Sequence, residues 1–279
     1  MELIGLSELC ENKKDMEIIG YIAAIGIGVL LGLIGGGGSI LTVPVLVYLF
    51  ALLPVTATTY SLFIVGVTSM VGSVSYFKKG LVNMPTAIVF GIPSIVVVYL
   101  TRRFLLPWIP SQLFSLGGFV LSKDVFLMLL FAVLMVAASY TMLKPKKENL
   151  AAEEVQQFNY PLLLMEGAFM GLLTGLVGAG GGFLIIPALV LLSKLPIKEA
   201  VGTSLVIIAA NSLIGFIGGM GQADLNWALL LLLTALSILG IFLGSFLTKY
   251  IRSDKLKPAF GVFVLIMGLY ILFNEFFLS

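Results

Sequence analysis

Seven stretches of this chain, residues 18–34, 57–77, 87–100, 125–143, 200–217, 228–247 and 259–273, are predominantly apolar and contain no charged side chain. Each approaches the roughly 20 apolar residues that a helix needs to cross the ~30 Å hydrocarbon layer of a membrane. No water is available there to the backbone, so only helices and closed barrels can span it. The ten-residue alternation of a barrel strand is absent, and helices are expected. The composition agrees: 59% of the 279 residues are hydrophobic and 11% are charged, against about 25% charged in a soluble domain.

Several function classes fall away at once. The opening residues, MELIGLSELCENKKDME, mix acids with bases and offer no small-residue cleavage site after an apolar core, so the first helix is expected to act as a signal anchor. The single cysteine, Cys10, leaves no intramolecular disulfide and too few thiolates for a structural metal. The chain has no histidine, which removes Ser-His and Cys-His nucleophile pairs, the zinc-protease motif and histidine-ligated haem. No cofactor or metal is expected. A membrane enzyme would need a Ser-Lys or carboxylate mechanism, and no Lys falls mid-membrane near a Ser, so the chain is not expected to be an enzyme. A net charge of +2 is too small to point to nucleic acid.

The chain also repeats itself. An offset of 143 aligns GVLLGLIGGGGSILTVPVLVYL (28–49) with GLLTGLVGAGGGFLIIPALVLL (171–192), and 20 of the 56 positions from Gly28 to Asn83 are identical without a gap. The matches include Gly35/Gly178, Gly37/Gly180, Gly38/Gly181, Pro44/Pro187, Ser61/Ser204, Ser69/Ser212 and Asn83/Asn226. One membrane domain over 1–279 is expected, with a first repeat at 17–143, a polar cytoplasmic linker at 144–160 and a second repeat at 161–277. Each half reads as five helical segments, of which the one after the glycines (40–53; 183–193) is too short to span. At 1.5 Å per residue these are half-helices or re-entrant arms.

Loop charges set the topology. Eleven Lys and Arg gather on the side of the linker and five (Lys13, Lys14, Arg102, Arg103, Lys123) on the other, which puts the linker in the cytoplasm and both termini outside. An odd number of segments per half makes the repeats inverted, the arrangement in which transporters build a midplane site. The expected fold is an all-α polytopic membrane protein made of two inverted repeats, each with a glycine-broken short helix.

Two jobs are assigned to the glycines. The stripes Ala24, Gly28, Gly32 and Gly167, Gly171, Gly175 recur every four residues, on one helix face, where missing side chains admit a neighbouring backbone. The clusters Gly35, Gly36, Gly37, Gly38, Ser39 and Gly178, Gly180, Gly181, Gly182 break the helix, and freed N–H groups are tolerated only inside protein or beside a wet cavity. A glycine loop running into a helix N-terminus suits an anion; the competing reading is that the glycines merely let helices cross tightly. Ser61, Thr68, Ser69, Thr203, Ser204, Asn211 and Ser212 supply polar groups at related places in the two halves, although such hydroxyls often bond back to their own helix.

At GLLTGLVGAGGGFLIIPALVLLSKLPIKEAVGTSLVIIAANSLIGFIGG (171–219) the chain resembles the TauE/SafE family of sulfite and organosulfonate exporters, whose hallmark is this glycine motif followed by a proline and a Gly-Thr-Ser-Leu stretch. By position the resemblance points to Gly178, Gly180, Gly181, Gly182, Pro187, Thr203 and Ser204, and to Gly35, Gly37, Gly38, Pro44 and Ser61. The first half reads TTYSL (58–62) where the second has VGTSL (201–205), a departure from strict symmetry. The resemblance implies export of a small sulfur-containing anion such as sulfite, thiosulfate or sulfoacetate across the cytoplasmic membrane.

No Lys or Arg is expected deep in a helix, which leaves binding to neutral donors; Lys78, Lys79, Arg102 and Arg103 are read as interface anchors that set topology, the alternative being a vestibule that attracts anions. Glu166, the one carboxylate inside an apolar segment, is the candidate for proton coupling. A secondary transporter is the leading reading and a channel or facilitator for a small anion or neutral solute the alternative. The lipid bilayer and a small anion are the expected partners, and a homo-oligomer is compatible with the composition.

Overall fold

The computed structural model describes residues 2–116, 119–143, 160–191, 195–247 and 253–277. Its order is α1 (Glu2–Ile34), a 3-10 turn (Gly36–Leu41), α2 (Thr42–Tyr48), α3 (Pro54–Lys78), α4 (Met84–Leu100), a π turn (Thr101–Leu105), α5 (Leu106–Trp108) and a hairpin of β1 (Gln112–Leu116) with β2 (Phe119–Ser122). There follow α6 (Lys123–Leu143), α7 (Tyr160–Val177), α8 (Gly182–Leu191), α9 (Ile197–Gly219), α10 (Trp227–Leu247) and α11 (Ser253–Phe277). Among the described residues seven helices are long and apolar enough to cross a membrane, one for each charge-free run. The expected linker lies outside the described residues apart from Tyr160, which begins α7.

Burial differs from that of a soluble protein in what accompanies the apolar core and in what covers the outside. Ser61, Thr68, Ser69, Thr203, Ser204, Asn211 and Ser212 are buried, while Ile88, Ile92 and Val96 of α4 and Phe242, Leu243 and Phe246 of α10 are exposed. Lipid solvates large apolar side chains well, so small and polar residues take the helix interfaces. The protein is a multi-pass, all-α membrane protein.

The packing of one half recurs in the other. α1 lies along α10 and α7 along α4, while α3 packs on α9 and α6 on α11, so exchanging the halves leaves these pairings unchanged. The small-residue stripes explain the first two pairs. A Cβ on Gly28 would run into the Ser237 and Gly240 backbone, and one on Gly171 into the Ser94 backbone. Ser94 and Ser237 are themselves 143 apart. Ser237 Oγ donates to Ala24 O at 3.1 Å, an interhelical bond worth about 0.6 kcal/mol in a membrane.

The matched asparagines work the same way. Asn83 Oδ1 accepts from Thr86 N at the start of α4, and Asn226 Oδ1 accepts from Leu229 N at the start of α10. Asn83 N donates to Thr203 Oγ1 at 2.9 Å and Asn226 N to the Tyr60 hydroxyl at 2.5 Å, and Tyr60 and Thr203 again differ by 143. Each half therefore anchors the other's fourth helix.

Three features depart from the sequence reading. α1 begins at Glu2, so its polar opening turns are helical. The hairpin was not expected, although Gly117-Gly118 between QLFSL and FVLS is a two-residue hairpin signal. Most consequential, the helix that begins with α4 does not stop where its apolar run ends. Through the π turn and α5 it continues to Trp108, giving a span of Met84–Trp108 that contains Arg102.

Candidate functional site

The two glycine breaks meet inside the bundle. A Cβ on Gly36 would lie 2.6 Å from Gly182 Cα, and one on Gly182 would lie 2.6 Å from Gly36 Cα, so these loops touch backbone to backbone. Residues 35–39 and 178–182 are all buried. Ile208 of α9 closes over the contact, reaching the Cβ positions of both glycines.

The first break is a compact 3-10 turn. Only Gly35 is left-handed, with φ 75°, and Ser39 Oγ donates to Gly36 O at 2.7 Å, so the hydroxyl is spent on its own turn. Its neighbours are apolar: Val201 and Ile186 face Gly35, Ile34 and Met142 face Gly37, and the Leu30–Leu31 backbone presses on Gly38. The chain then runs straight into α2, with Pro44 in the first turn where a missing N–H costs least.

The second break is wound differently. Gly178, Gly180 and Gly181 are all left-handed, with φ 72°, 68° and 68°, a region that a side chain disfavours. Gly178 N, just past the end of α7, donates to Thr174 O, while Leu184 and Ile185 at the start of α8 both donate to Gly181 O. The amides of residues 179–183 lie between, in the turn and the first two residues of α8. Mixed left- and right-handed turns of this kind gather N–H groups into an anion-binding concavity.

Polar side chains surround that turn. A Cβ on Gly178 would meet Thr58 and Arg102 Nη2, one on Gly180 would lie 2.8 Å from Ser212 Oγ, and one on Gly181 would meet Thr174 Oγ1. Arg102 is wholly buried and donates from Nη1 to Thr58 Oγ1 at 3.0 Å, while its Nε and Nη2 have no partner among the described residues. Thr174 Oγ1 and Ser212 Oγ are also buried without partners among those residues.

The expectation that no cation lies deep in a helix is therefore corrected, because the π turn prolongs the helix and carries Arg102 inward. Gln222 Nε2 donates to Arg102 O at 2.5 Å, satisfying one carbonyl of that turn. Gly218 and Gly219 leave room for the arginine stem, with Cβ positions 3.1 Å from Arg102 Cβ and 3.6 Å from its Cδ. Arg103 is exposed, as an interface anchor would be. Sequence reasoning missed Arg102, Thr58 and Thr174; the available signal was the apolar restart FLLPWI directly after the Arg pair.

The other polar residues singled out in the sequence are spread more widely. Thr203 holds Asn83, and Ser204 Oγ bonds back to Val201 O at 2.8 Å. Asn211 Nδ2 donates to Ser94 Oγ at 2.6 Å, tying α9 to α4, and its Oδ1 stays unpartnered. Ser61, Thr68 and Ser69 are buried along α3 with hydroxyls that find no partner among the described residues. Glu166 is half-buried with Oε2 unpartnered, and its place twelve residues before Gly178 is about 18 Å away along α7. A surface groove of about 680 Å³ runs between the middle of α1 and the start of α10, past Tyr21, Phe50 and Asn226, and takes in neither glycine loop.

A multi-pass bundle whose two glycine-broken segments converge on buried, polar backbone belongs to the class of membrane transport proteins. The family model for sulfite exporter TauE/SafE matches residues 20–271, and the chain belongs to that family. It is 29% identical over 271 residues to a probable membrane transporter protein of Xylella fastidiosa, covering 93% of this chain and 98% of that one. Two Bacillus subtilis proteins, the probable membrane transporter proteins YunE and YdhB, are each 26% identical, over 94% and 88% of this chain and 98% and 96% of theirs. No solved structure matches the chain.

Proposed function

We propose that this protein is a secondary transporter that moves a small sulfur-containing oxyanion, such as sulfite or a sulfonate, outward across the cytoplasmic membrane. The observation that carries this reading is the left-handed turn at 178–181, whose amides, hydroxyls and buried guanidinium converge where the two halves touch. Family membership adds the substrate class. Its two halves act as inverted repeats and rock against each other about the Gly36–Gly182 contact, opening the turn to one side and then the other. Burial of both loops on every side favours gated movement over a standing channel.

The test is flux into and out of proteoliposomes with sulfite, thiosulfate and sulfoacetate, with and without a pH gradient. Saturable flux with counterflow of at least one of these is expected. Transport of none of them would sink the reading, and flux that rises linearly without counterflow would replace it with a channel.

A further inference from the structure

Arg102 is the one Lys or Arg among the described residues that is fully buried. No carboxylate pairs with it among those residues, and Arg102 makes a single side-chain hydrogen bond, to Thr58. An ion held in a membrane bundle without a counter-charge is costly, and such groups mark functional sites. Thr58 cannot be the answer to the charge, since its own hydroxyl proton goes to Val55 O and its oxygen only steadies Nη1.

The two nitrogens left over are informative. Nε and Nη2 form one edge of the guanidinium, the planar fork that takes two oxygens of one oxyanion side by side. Nη2 lies against Gly178, at the head of the turn whose other unpartnered donors are Thr174 Oγ1 and Ser212 Oγ. These groups come from four elements: the π turn, α7, α9 and the loop before the ten-residue α8.

We propose that Arg102 anchors a binding site for the single negative charge of a small oxyanion. Its Nε–Nη2 edge holds two oxygens, while Thr174, Ser212 and the amides of residues 179–183 take the remaining oxygen. This rests on the transport reading above and narrows it. With one buried cation, the charge is balanced by a monoanion such as hydrogen sulfite or an alkylsulfonate. A dianion such as sulfate or thiosulfate leaves one charge uncompensated inside the bundle. The position 143 residues on from Arg102 is Ser245, so each chain holds one such site and not two.

Labelled sulfite flux in proteoliposomes, competed by methanesulfonate, sulfate and thiosulfate, tests the proposal together with anion-dependent thermal protection of the detergent-purified protein. Methanesulfonate is expected to compete while equal sulfate or thiosulfate does not. Arg102→Gln should raise KM by about 30-fold or more, the usual scale for removing one partner of a buried, hydrogen-bonded ion pair, and abolish protection by methanesulfonate. Arg102→Lys, which keeps the charge but loses the fork, should fall between.

Wild-type KM and protection in Arg102→Gln would overturn the proposal, as would sulfate competing as well as methanesulfonate. Should Arg102→Gln fail to fold, unchanged KM and protection in both Arg102→Lys and Thr174→Val would overturn it equally. If wild-type vesicles pass no anion, the transport reading fails alone provided methanesulfonate protects the wild type and not Arg102→Gln, or, where that variant does not fold, protects Arg102→Lys less than the wild type; absence of protection in the wild type removes the site as well.

Discussion

Gly35 and Gly178 sit 143 residues apart in matching places with φ of 75° and 72°, yet a Cβ on the first would press on Val201 and Ile186 and on the second on Thr58 and Arg102. Thr58 is the repeat counterpart of Val201, so the two contacts are the same contact with different chemistry. The contrast continues along both breaks. Leu31 stands where the second half has Thr174, Thr68 where it has Asn211, and Ser245 where the first half has Arg102. Both halves keep the backbone break, and the two loops touch there at Gly36 and Gly182. The side chains next to the glycines differ, apolar at the first break and polar at the second, while Ser69, the counterpart of Ser212, is likewise buried without a partner among the described residues.

Substitutions that exchange the character of the two breaks should separate these roles. The largest effect is expected at Gly178 and Gly35. Gly178→Ala drives a methyl into Thr58 and the Arg102 fork, and should cut transport by about 100-fold, the scale of a 1 Å misplacement at a working site. Gly35→Ala meets strain of about 1–3 kcal/mol from its positive φ, so the protein should melt earlier while the folded fraction transports with unchanged KM. Flux beside thermal denaturation distinguishes them, and equal KM effects would erase the distinction.

Next comes Thr174→Leu, which gives the second break the residue of the first. It removes one neutral hydrogen bond to substrate and should raise KM about 10-fold, or ~1.4 kcal/mol. The reciprocal Leu31→Thr should leave KM unchanged and lower stability by about 2–3 kcal/mol, because it buries a hydroxyl and opens space in the core. Asn211→Ala is expected to cost about 1 kcal/mol of stability through its lost bond to Ser94, with KM within about twofold. Glu166→Gln should have the smallest effect, with flux within about twofold of wild type across pH, given its ~18 Å separation from the loop along α7. Loss of pH dependence in that variant would instead assign proton coupling to Glu166.

Much of the architecture was legible because lipid makes strong demands on sequence. Each charge-free run became a spanning helix, and the Gly28–Gly32 and Gly171–Gly175 stripes mark the α1–α10 and α7–α4 crossings. The hydroxyls were harder to assign. Thr203 and Ser204 lie in the most family-like stretch, yet one holds the Asn83 backbone and the other bonds to its own helix. A sequence names a donor but not its nearest acceptor, and acceptors within three or four residues are always present in a helix.

By itself, then, the sequence determined that the chain is a helical membrane protein with two related halves and two breaks, because hydrophobic length and glycine periodicity act locally. Tertiary structure decided which break is polar. Arg102 read as a charge at a helix end, and only the π turn, with Gly218 and Gly219 beneath the stem and Thr58 at the fork, carries it to the second loop. Where a long side chain finally rests depends on helix register and on the space its neighbours leave, and neither is written in the residues beside it.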